Sequence, residues 1–207
     1  MAASPRFWDR IARKYAHSPI KDEAAYQQKL AKTREYLTPE AEVYEYGCGT
    51  GSTAIAHAPF AKHILATDIS SGMLAIAQEK ADAAGVTNVT FRQETIEDAT
   101  AEDGRYDMVM AHSILHLVED KEAAIAKSWQ MLKPGGVFVS STACLSDFMG
   151  WFRYVAWFGR RLGLIPYVAV FSQREMIASI TAAGFRIEHK WLPSRKSALF
   201  VVAVKEG

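Results

Sequence analysis

The feature that most constrains this chain is a short apolar strand followed by a loop with a glycine at every second position. The segment VYEYGCGTG, at positions 43–51, carries glycine at 47, 49 and 51. Glycine has no Cβ and tolerates positive φ, so such a loop can bring its backbone against a ligand. A second apolar stretch, 63–67, ends on Asp68, where a carboxylate is placed to accept the two hydroxyls of a ribose. The pattern therefore predicts a site for a nucleoside-containing ligand.

Length, charge and cysteine content narrow the class of protein. With 207 residues and 49% apolar content, the chain can bury a full core, and we expect one domain, 1–207. The net charge of +1, from 24 basic and 23 acidic residues, gives no electrostatic reason to expect a nucleic-acid partner. The first residues lack the apolar run of a secretory signal, which predicts a cytoplasmic location. Cys48 and Cys144 have no nearby ligand-spaced His or Cys, so we expect reduced thiols and no metal.

Strand and helix patterns alternate along the chain. The predicted elements are strand 42–46, strand 63–67, helix 71–84, strand 89–92, strand 106–111, helix 120–132, strand 137–142, helix 173–183, strand 185–192 and strand 198–204. Such alternation predicts an α/β fold, a parallel sheet with helices on both faces. The linker 193–197 is too short for a crossover helix, so the last two strands are expected to run antiparallel.

Several motifs follow one another in an order that is similar to a known family. They are Glu45-x-Gly47-x-Gly49-x-Gly51, Asp68, the YDMV segment at 106–109, the LKPGG turn at 132–136 and the closing antiparallel pair, preceded by FWDRIA at 7–12 and Tyr15. Together they resemble the class I S-adenosylmethionine-dependent methyltransferases, of the small-molecule, type 11/12-like kind. The resemblance implies a Rossmann-like, doubly wound seven-stranded sheet in which six strands are parallel and the last is inserted antiparallel.

Two alternatives stay open at this point. Gly49-x-Gly51-x-x-Ala54 fits the fingerprint of a dinucleotide-dependent oxidoreductase that binds NAD(P). A methyltransferase-like protein that has lost catalysis and only binds a partner is the other alternative. Binding of S-adenosylmethionine or of NADH would separate the first two, and a chain that bound neither would favour the third.

The resemblance also assigns roles in binding S-adenosyl-L-methionine. Glu45 is expected at the amino-acid end, Gly47 and Gly49 where the backbone approaches, and Asp68 on the ribose hydroxyls. The remaining expected cofactor residues are Ile69 and Met73 on the adenine, Thr95 and Ile96 at the adenine edge, Ala111 and His112 beside the methionine portion, and Tyr15 over the cofactor. Gln93-Glu94 replace the Gly-Asp of many relatives, which weakens the assignment on the adenine side.

Two histidines are the candidates for a catalytic role. The fourth strand delivers His112 to the carboxyl edge of the sheet, where ligands of open α/β sheets bind, and His116 follows shortly after. Methyl transfer from a sulfonium needs mainly alignment of the nucleophile with the methyl group. A general base is needed only where the acceptor is protonated at the working pH.

The acceptor is expected to meet two segments that flank the predicted cofactor site. Residues 1–40 predict a helical lid with a polar hinge at 17–22, and residues 143–172 form an aromatic-rich insert that caps the site or forms a wall for a small hydrophobic or aromatic acceptor. Trp151, Tyr154 and Phe158 are the substrate candidates. Because arginines accompany the apolar stripe, peripheral membrane contact and a lipid or quinone-like acceptor are an alternative. The chain is expected to be a monomer or a homodimer.

Overall fold

The computed structural model describes residues 5–99, 103–152, 155 and 166–206. It confirms the predicted Rossmann-like sheet with flanking helices. The seven strands are β1 Glu42–Tyr46, β2 His63–Asp68, β3 Val89–Gln93, β4 Tyr106–His112, β5 Leu132–Thr142, β6 Phe185–Trp191 and β7 Leu199–Lys205. The seven α-helices described are α1 Pro5–Ala16, α2 Glu23–Arg34, α3 Ser52–His57, α4 Ser71–Ala83, α5 Lys121–Met131, α6 Ser146–Met149 and α7 Gln173–Ala182.

The sheet has the strand order β3-β2-β1-β4-β5-β7-β6. Strands β1 to β5 pair in parallel, and β7 pairs antiparallel with both β5 and β6, which confirms the inserted antiparallel strand. Nearly every residue of β7 is buried, as expected for a strand inside a sheet that is covered on both faces. In β6 alternate residues are exposed, which suits an edge strand.

One strand begins earlier than predicted. Strand β5 begins at Leu132 rather than at 137, so the LKPGG segment lies inside it. The pairing with β4 shifts between Tyr106↔Leu132 and Met108↔Val137, and Gly135 within the shift has φ +78. The extra residues of β5 form a local irregularity in its pairing with β4.

The sheet is buried on both faces. Val43 and Met108 pack into one apolar cluster, whereas Tyr44 and Val109, the next residues along each strand, pack into the other. Because successive strand side chains point to opposite faces, this alternation separates the two cores. Glu45 and His112 lie toward the carboxyl ends of β1 and β4, whereas Glu42 and Asp107 lie at the amino ends.

Helix α1 lies against the start of α4. The Asp9 carboxylate accepts hydrogen bonds from the Ser70 hydroxyl (2.6 Å) and the Gly72 amide (3.0 Å). Ser70 also caps α4 through the Met73 amide, and Met73 packs with Ala12 in a small cluster between the two helices. This contact places the amino-terminal helices over the carboxyl edge of the sheet, where the predicted lid would lie.

The aromatic insert is described only in part. It contains the short helix α6, and Trp151 beyond it is 62% exposed. Tyr154 and Phe158 lie outside the described residues. Within the described part of the chain, no helix combines the length and the apolar character needed to cross a membrane.

Candidate functional site

A cavity of about 960 Å³ opens at the carboxyl edge of the sheet, below α1 and α2. Most of the residues predicted to bind a cofactor line it: Tyr15, Glu45, Gly47, Gly49, Asp68, Ile69, Met73, Thr95, Ile96 and His112. His116 lines it as well. Ala111 is fully buried in the core, and neither Ala111 nor Trp151 is among the lining residues. The structure therefore brings the predicted site together except at these positions.

The glycine loop has the conformation that its sequence predicts. Gly47, Gly49 and Gly51 all have positive φ, between +55 and +71. A Cβ at Gly47 would lie 2.5 Å from Cγ1 of Ile114, so this position has no room for a side chain. At Gly49 the nearest atom to such a Cβ is Cε1 of Tyr15, at 3.9 Å. The loop thus exposes its backbone to the cavity beneath the Tyr15 ring.

Asp68 ties the loop to the second strand. One carboxylate oxygen accepts the Gly49 amide at 2.9 Å and the other accepts the Ser70 amide at 2.9 Å. Burial raises the pKa of Asp68, although these two backbone hydrogen bonds act in the opposite direction. Each carboxylate oxygen can accept more than one hydrogen bond, so Asp68 retains the capacity to bind hydroxyl groups of a ligand.

Glu45 is an acidic side chain buried without compensation. It is 1% exposed, and its Oε2 atom has no hydrogen-bond partner among the described residues. Burial raises the pKa of Glu45 to about 8, and the nearby Asp68 carboxylate adds to the effect. A buried carboxylate requires a positive charge or several donors for its charged form to be stable. The site therefore suits a ligand that brings a cationic group to Glu45.

Local hydrogen bonds fix the turns on the side of the cavity where the adenine is expected. The Gln93 side chain donates to the Ile69 carbonyl at 2.9 Å, which fixes the turn after β2. The Thr95 hydroxyl is used within its own turn, since it donates to the Asp98 carboxylate and accepts from the Asp98 amide. Ile96 is buried. The apolar and backbone groups here can border a flat ring, whereas the Thr95 side chain is already engaged.

Both candidate histidines are neutral groups at the cavity wall. The Nε2 atom of His112 and the Nδ1 atom of His116 are buried without partners among the described residues. Burial lowers the pKa of His112 to about 3, with smaller effects from His57 and Lys29, and it lowers the pKa of His116 to about 4. Next to His112, Ser113 has φ +56, a strained conformation that often occurs at functional sites.

Sequence reasoning missed Lys29 on α2. Its ammonium group donates to the hydroxyl of Ser141, at the end of β5, at 2.9 Å, and both residues line the cavity. Burial lowers the pKa of Lys29. The sequence around Lys29 is that of an ordinary polar helix, and only the packing of α2 over the sheet distinguishes this lysine from its exposed neighbours.

Comparison with known proteins gives consistent matches. Residues 43–136 match a family described as a methyltransferase domain. An uncharacterised protein of Synechococcus is 35% identical over 98 residues, which are 46% of this chain and 24% of that protein. The uncharacterised methyltransferase YcgJ of Bacillus subtilis is 30% identical over 110 residues, 53% of this chain and 43% of YcgJ. The chain therefore spans less than half the length of these relatives.

Solved structures agree with the fold. The crystal structure of YcgJ from Bacillus subtilis superposes with a TM-score of 0.72 at 18% identity, over 87% of this chain and 99% of that one. The S-adenosylmethionine-dependent methyltransferase from Mesorhizobium loti gives 0.71 at 23% identity, over 88% and 99%. At these identities the similarity concerns the architecture, and it extends over most of the chain.

Proposed function

We propose that this chain, whose residues 43–136 match a methyltransferase domain and whose fold is that of S-adenosylmethionine-dependent methyltransferases, binds S-adenosylmethionine and transfers the methyl group to a small, hydrophobic or aromatic acceptor. One observation carries the proposal. A single cavity at the carboxyl edge brings the glycine loop, Asp68 and the uncompensated Glu45 together beside His112.

The donor set fits the chemistry of the cofactor. The Glu45 carboxylate would meet the α-ammonium group of the methionine portion, which would supply the positive charge that this side chain lacks. Asp68 would bind the ribose hydroxyls through charge-assisted hydrogen bonds. Gly47 and Gly49 would let the backbone approach the ligand, and Ile69 would border the adenine.

The contribution expected of the protein is to align the acceptor with the methyl group. S-Adenosylmethionine supplies an activated methyl group on a sulfonium, so the protein has to hold the acceptor atom in line with it and exclude competing water. His112 offers an unpartnered Nε2 in the cavity wall. Since burial lowers its pKa to about 3, His112 is a weak proton acceptor at neutral pH, and we expect it to orient the acceptor by a hydrogen bond rather than to store a proton. A His112→Ala variant with unchanged turnover would remove it from the mechanism.

The size of the cavity supports a small acceptor. Small-molecule sites span about 300–1,000 Å³, and the cavity of about 960 Å³ lies at the upper end of that range. A nucleoside-sized cofactor therefore leaves room for a second small molecule. The space not assigned to the cofactor lies between α2, the end of β4 and the segment Lys196-Ser197-Ala198 before β7.

Isothermal titration of S-adenosylmethionine and S-adenosylhomocysteine into the wild type and into Asp68→Ala tests the cofactor site. We expect binding by the wild type and loss of at least about tenfold in affinity in the variant, because charged hydrogen bonds contribute about 1.5–3 kcal/mol each. Asp107→Ala is the matched control. Asp107 also accepts a backbone amide, that of Glu42, and pairs with Lys133, but it does not line the cavity. A wild type that binds neither compound would overturn the proposal.

A further inference from the structure

We propose that the methyl acceptor carries a carboxylate, and that Lys29 binds it together with Ser141 and His112. The inference rests on the proposed methyl transfer and specifies the acceptor class for the same cavity. It starts from an amine that the fold places in the cavity wall without a counter-ion.

Lys29 has unused hydrogen-bonding capacity. An ammonium group has three donors, and the only hydrogen bond found for Lys29 among the described residues is the one to the Ser141 hydroxyl, at 2.9 Å. No described carboxylate lies within ion-pair distance of it. Asp22 acts on Lys29 only from beyond ion-pair distance: its charge raises the pKa of Lys29 against the larger effect of burial, while its side chain caps α2 by accepting the Ala25 amide. A partly buried, unpaired ammonium group is costly unless a ligand supplies the opposite charge.

The acidic cofactor candidates and Lys29 lie over different strands at the edge of the cavity. Glu45 lies in β1 and Asp68 ends β2, on the side where the cationic cofactor is expected. Lys29 faces Ser141 at the end of β5, and His112 ends β4 beside it. Since β4 and β5 are neighbours on the far side of β1, the amine lies over the half of the sheet left for the acceptor. Lys29 thus offers a positive charge to an anionic acceptor beside His112 and Ser141, in a cavity whose lining also includes Asp22, Glu119 and Lys80.

The number of charges favours a single negative charge on the acceptor. Lys29 is the one ammonium group found inside this half of the cavity among the described residues, since Lys21 and Lys196 also line it but are exposed at its rim. His112 and Ser141 supply neutral hydrogen bonds. A doubly charged phosphate would leave charge unpaired in such a site, whereas a carboxylate would be neutralised by one lysine and could accept from the neutral groups with its second oxygen.

The test compares matched ligands in the presence of saturating S-adenosylhomocysteine. Phenylacetate and octanoate are titrated against phenylacetamide and octanamide, with phenyl phosphate as a doubly charged probe, and binding is followed by ligand-observed NMR and calorimetry. We expect at least one carboxylate to bind the wild type about tenfold or more tightly than its amide. The inference would be overturned if neither carboxylate bound more tightly than its amide, or if phenyl phosphate bound more tightly than phenylacetate.

Variants on one helix connect the preference to Lys29. Lys29→Met keeps the apolar stem and should erase the preference for carboxylate, while Lys29→Arg, which keeps the cation, should retain it. Lys32→Met is the control, because Lys32 lies on the same helix but pairs with Glu35 outside the cavity. Undiminished carboxylate preference in Lys29→Met would overturn the inference. If Lys29→Met does not fold, the inference is tested by the carboxylate and amide affinities of the wild type and of Lys29→Arg.

The two proposals fail in different ways. Binding of S-adenosylhomocysteine should change little in all three lysine variants, since Lys29 is assigned to the acceptor. A wild type that binds S-adenosylhomocysteine but discriminates no carboxylate from its amide would overturn the acceptor class and leave the methyltransferase proposal standing. A wild type that binds no S-adenosylhomocysteine would overturn the methyltransferase proposal first.

Discussion

Glu45→Gln should stabilise the ligand-free protein while weakening its hold on the cofactor. The folded state raises the pKa of Glu45 from 4.5 to about 8, so the folded protein binds this proton more tightly than the unfolded chain does. The stability contributed by the proton is fully present below pH 4.5 and is lost as the pH rises through about 8. At pH 7 the buried carboxyl then costs about 3 kcal/mol relative to a neutral group of the same shape.

Chemical unfolding by urea, followed by tryptophan fluorescence at pH 5, 7 and 8.5, measures this directly. We expect Glu45→Gln to exceed the wild type by up to about 3 kcal/mol at pH 7, with a smaller difference at pH 5. Titration should at the same time show at least about tenfold weaker binding of S-adenosylhomocysteine, since a charged hydrogen bond contributes about 1.5–3 kcal/mol. Glu40→Gln is the control, because Glu40 is exposed shortly before β1; it should change neither the free energy of unfolding nor the affinity for S-adenosylhomocysteine. A Glu45→Gln variant that is less stable than the wild type at pH 7, or a difference that does not vary with pH, would refute the argument.

Three further outcomes are expected. Burial lowers the pKa of His57 from 6.5 in the unfolded chain to about 4 in the folded protein. The protein should therefore lose stability as the pH falls below 6.5. At pH 5, urea unfolding of His57→Gln should show a gain of about 2 kcal/mol over the wild type. Gly47→Ala should cost more in thermal unfolding than Gly85→Ala, because the two share φ near +65 but only the first lacks space for a Cβ; equal losses would contradict the close packing. Asp9→Ala should speed proteolysis near Pro19 and reduce its slowing by S-adenosylhomocysteine, since it releases α1 from α4; an unchanged cleavage rate would argue against a lid.

The sequence was sufficient to predict the elements with strong periodicity or a required glycine. The strands 42–46 and 63–67, the glycine loop and the antiparallel direction of the last two strands were predictable, because alternation, chain reversal and linker length are local properties. The insertion of β7 between β5 and β6 was implied only by the family resemblance. The prediction of a methyltransferase is confirmed by the match of residues 43–136 to a methyltransferase domain, and solved methyltransferases share the predicted fold. The predicted start of β5 at 137 was wrong, since the strand begins at Leu132 through its pairing with Tyr106, a partner distant in the sequence.

The roles of the individual site residues stay predictions, and the structure changes their relative weight. Gly47, Gly49 and Asp68 line the cavity, and the unpartnered oxygen of Glu45 adds support to its predicted contact with a cationic group. Ala111 faces the core instead of the cavity. Side-chain direction at the end of a strand follows from register and from the strained turn at Ser113, and neither can be derived from local pattern.

By itself the sequence determined the fold and the class of cofactor, because these depend on motifs of a few residues whose geometry the chain imposes locally. Only the tertiary structure decided the electrostatics of the site. Lys29 and Ser141 are 112 positions apart, and the buried, unpartnered oxygen of Glu45 and nitrogen of His112 arise only in the folded protein. Burial and long-range proximity arise from packing, so the charge pattern that points to the acceptor exists only in the folded protein.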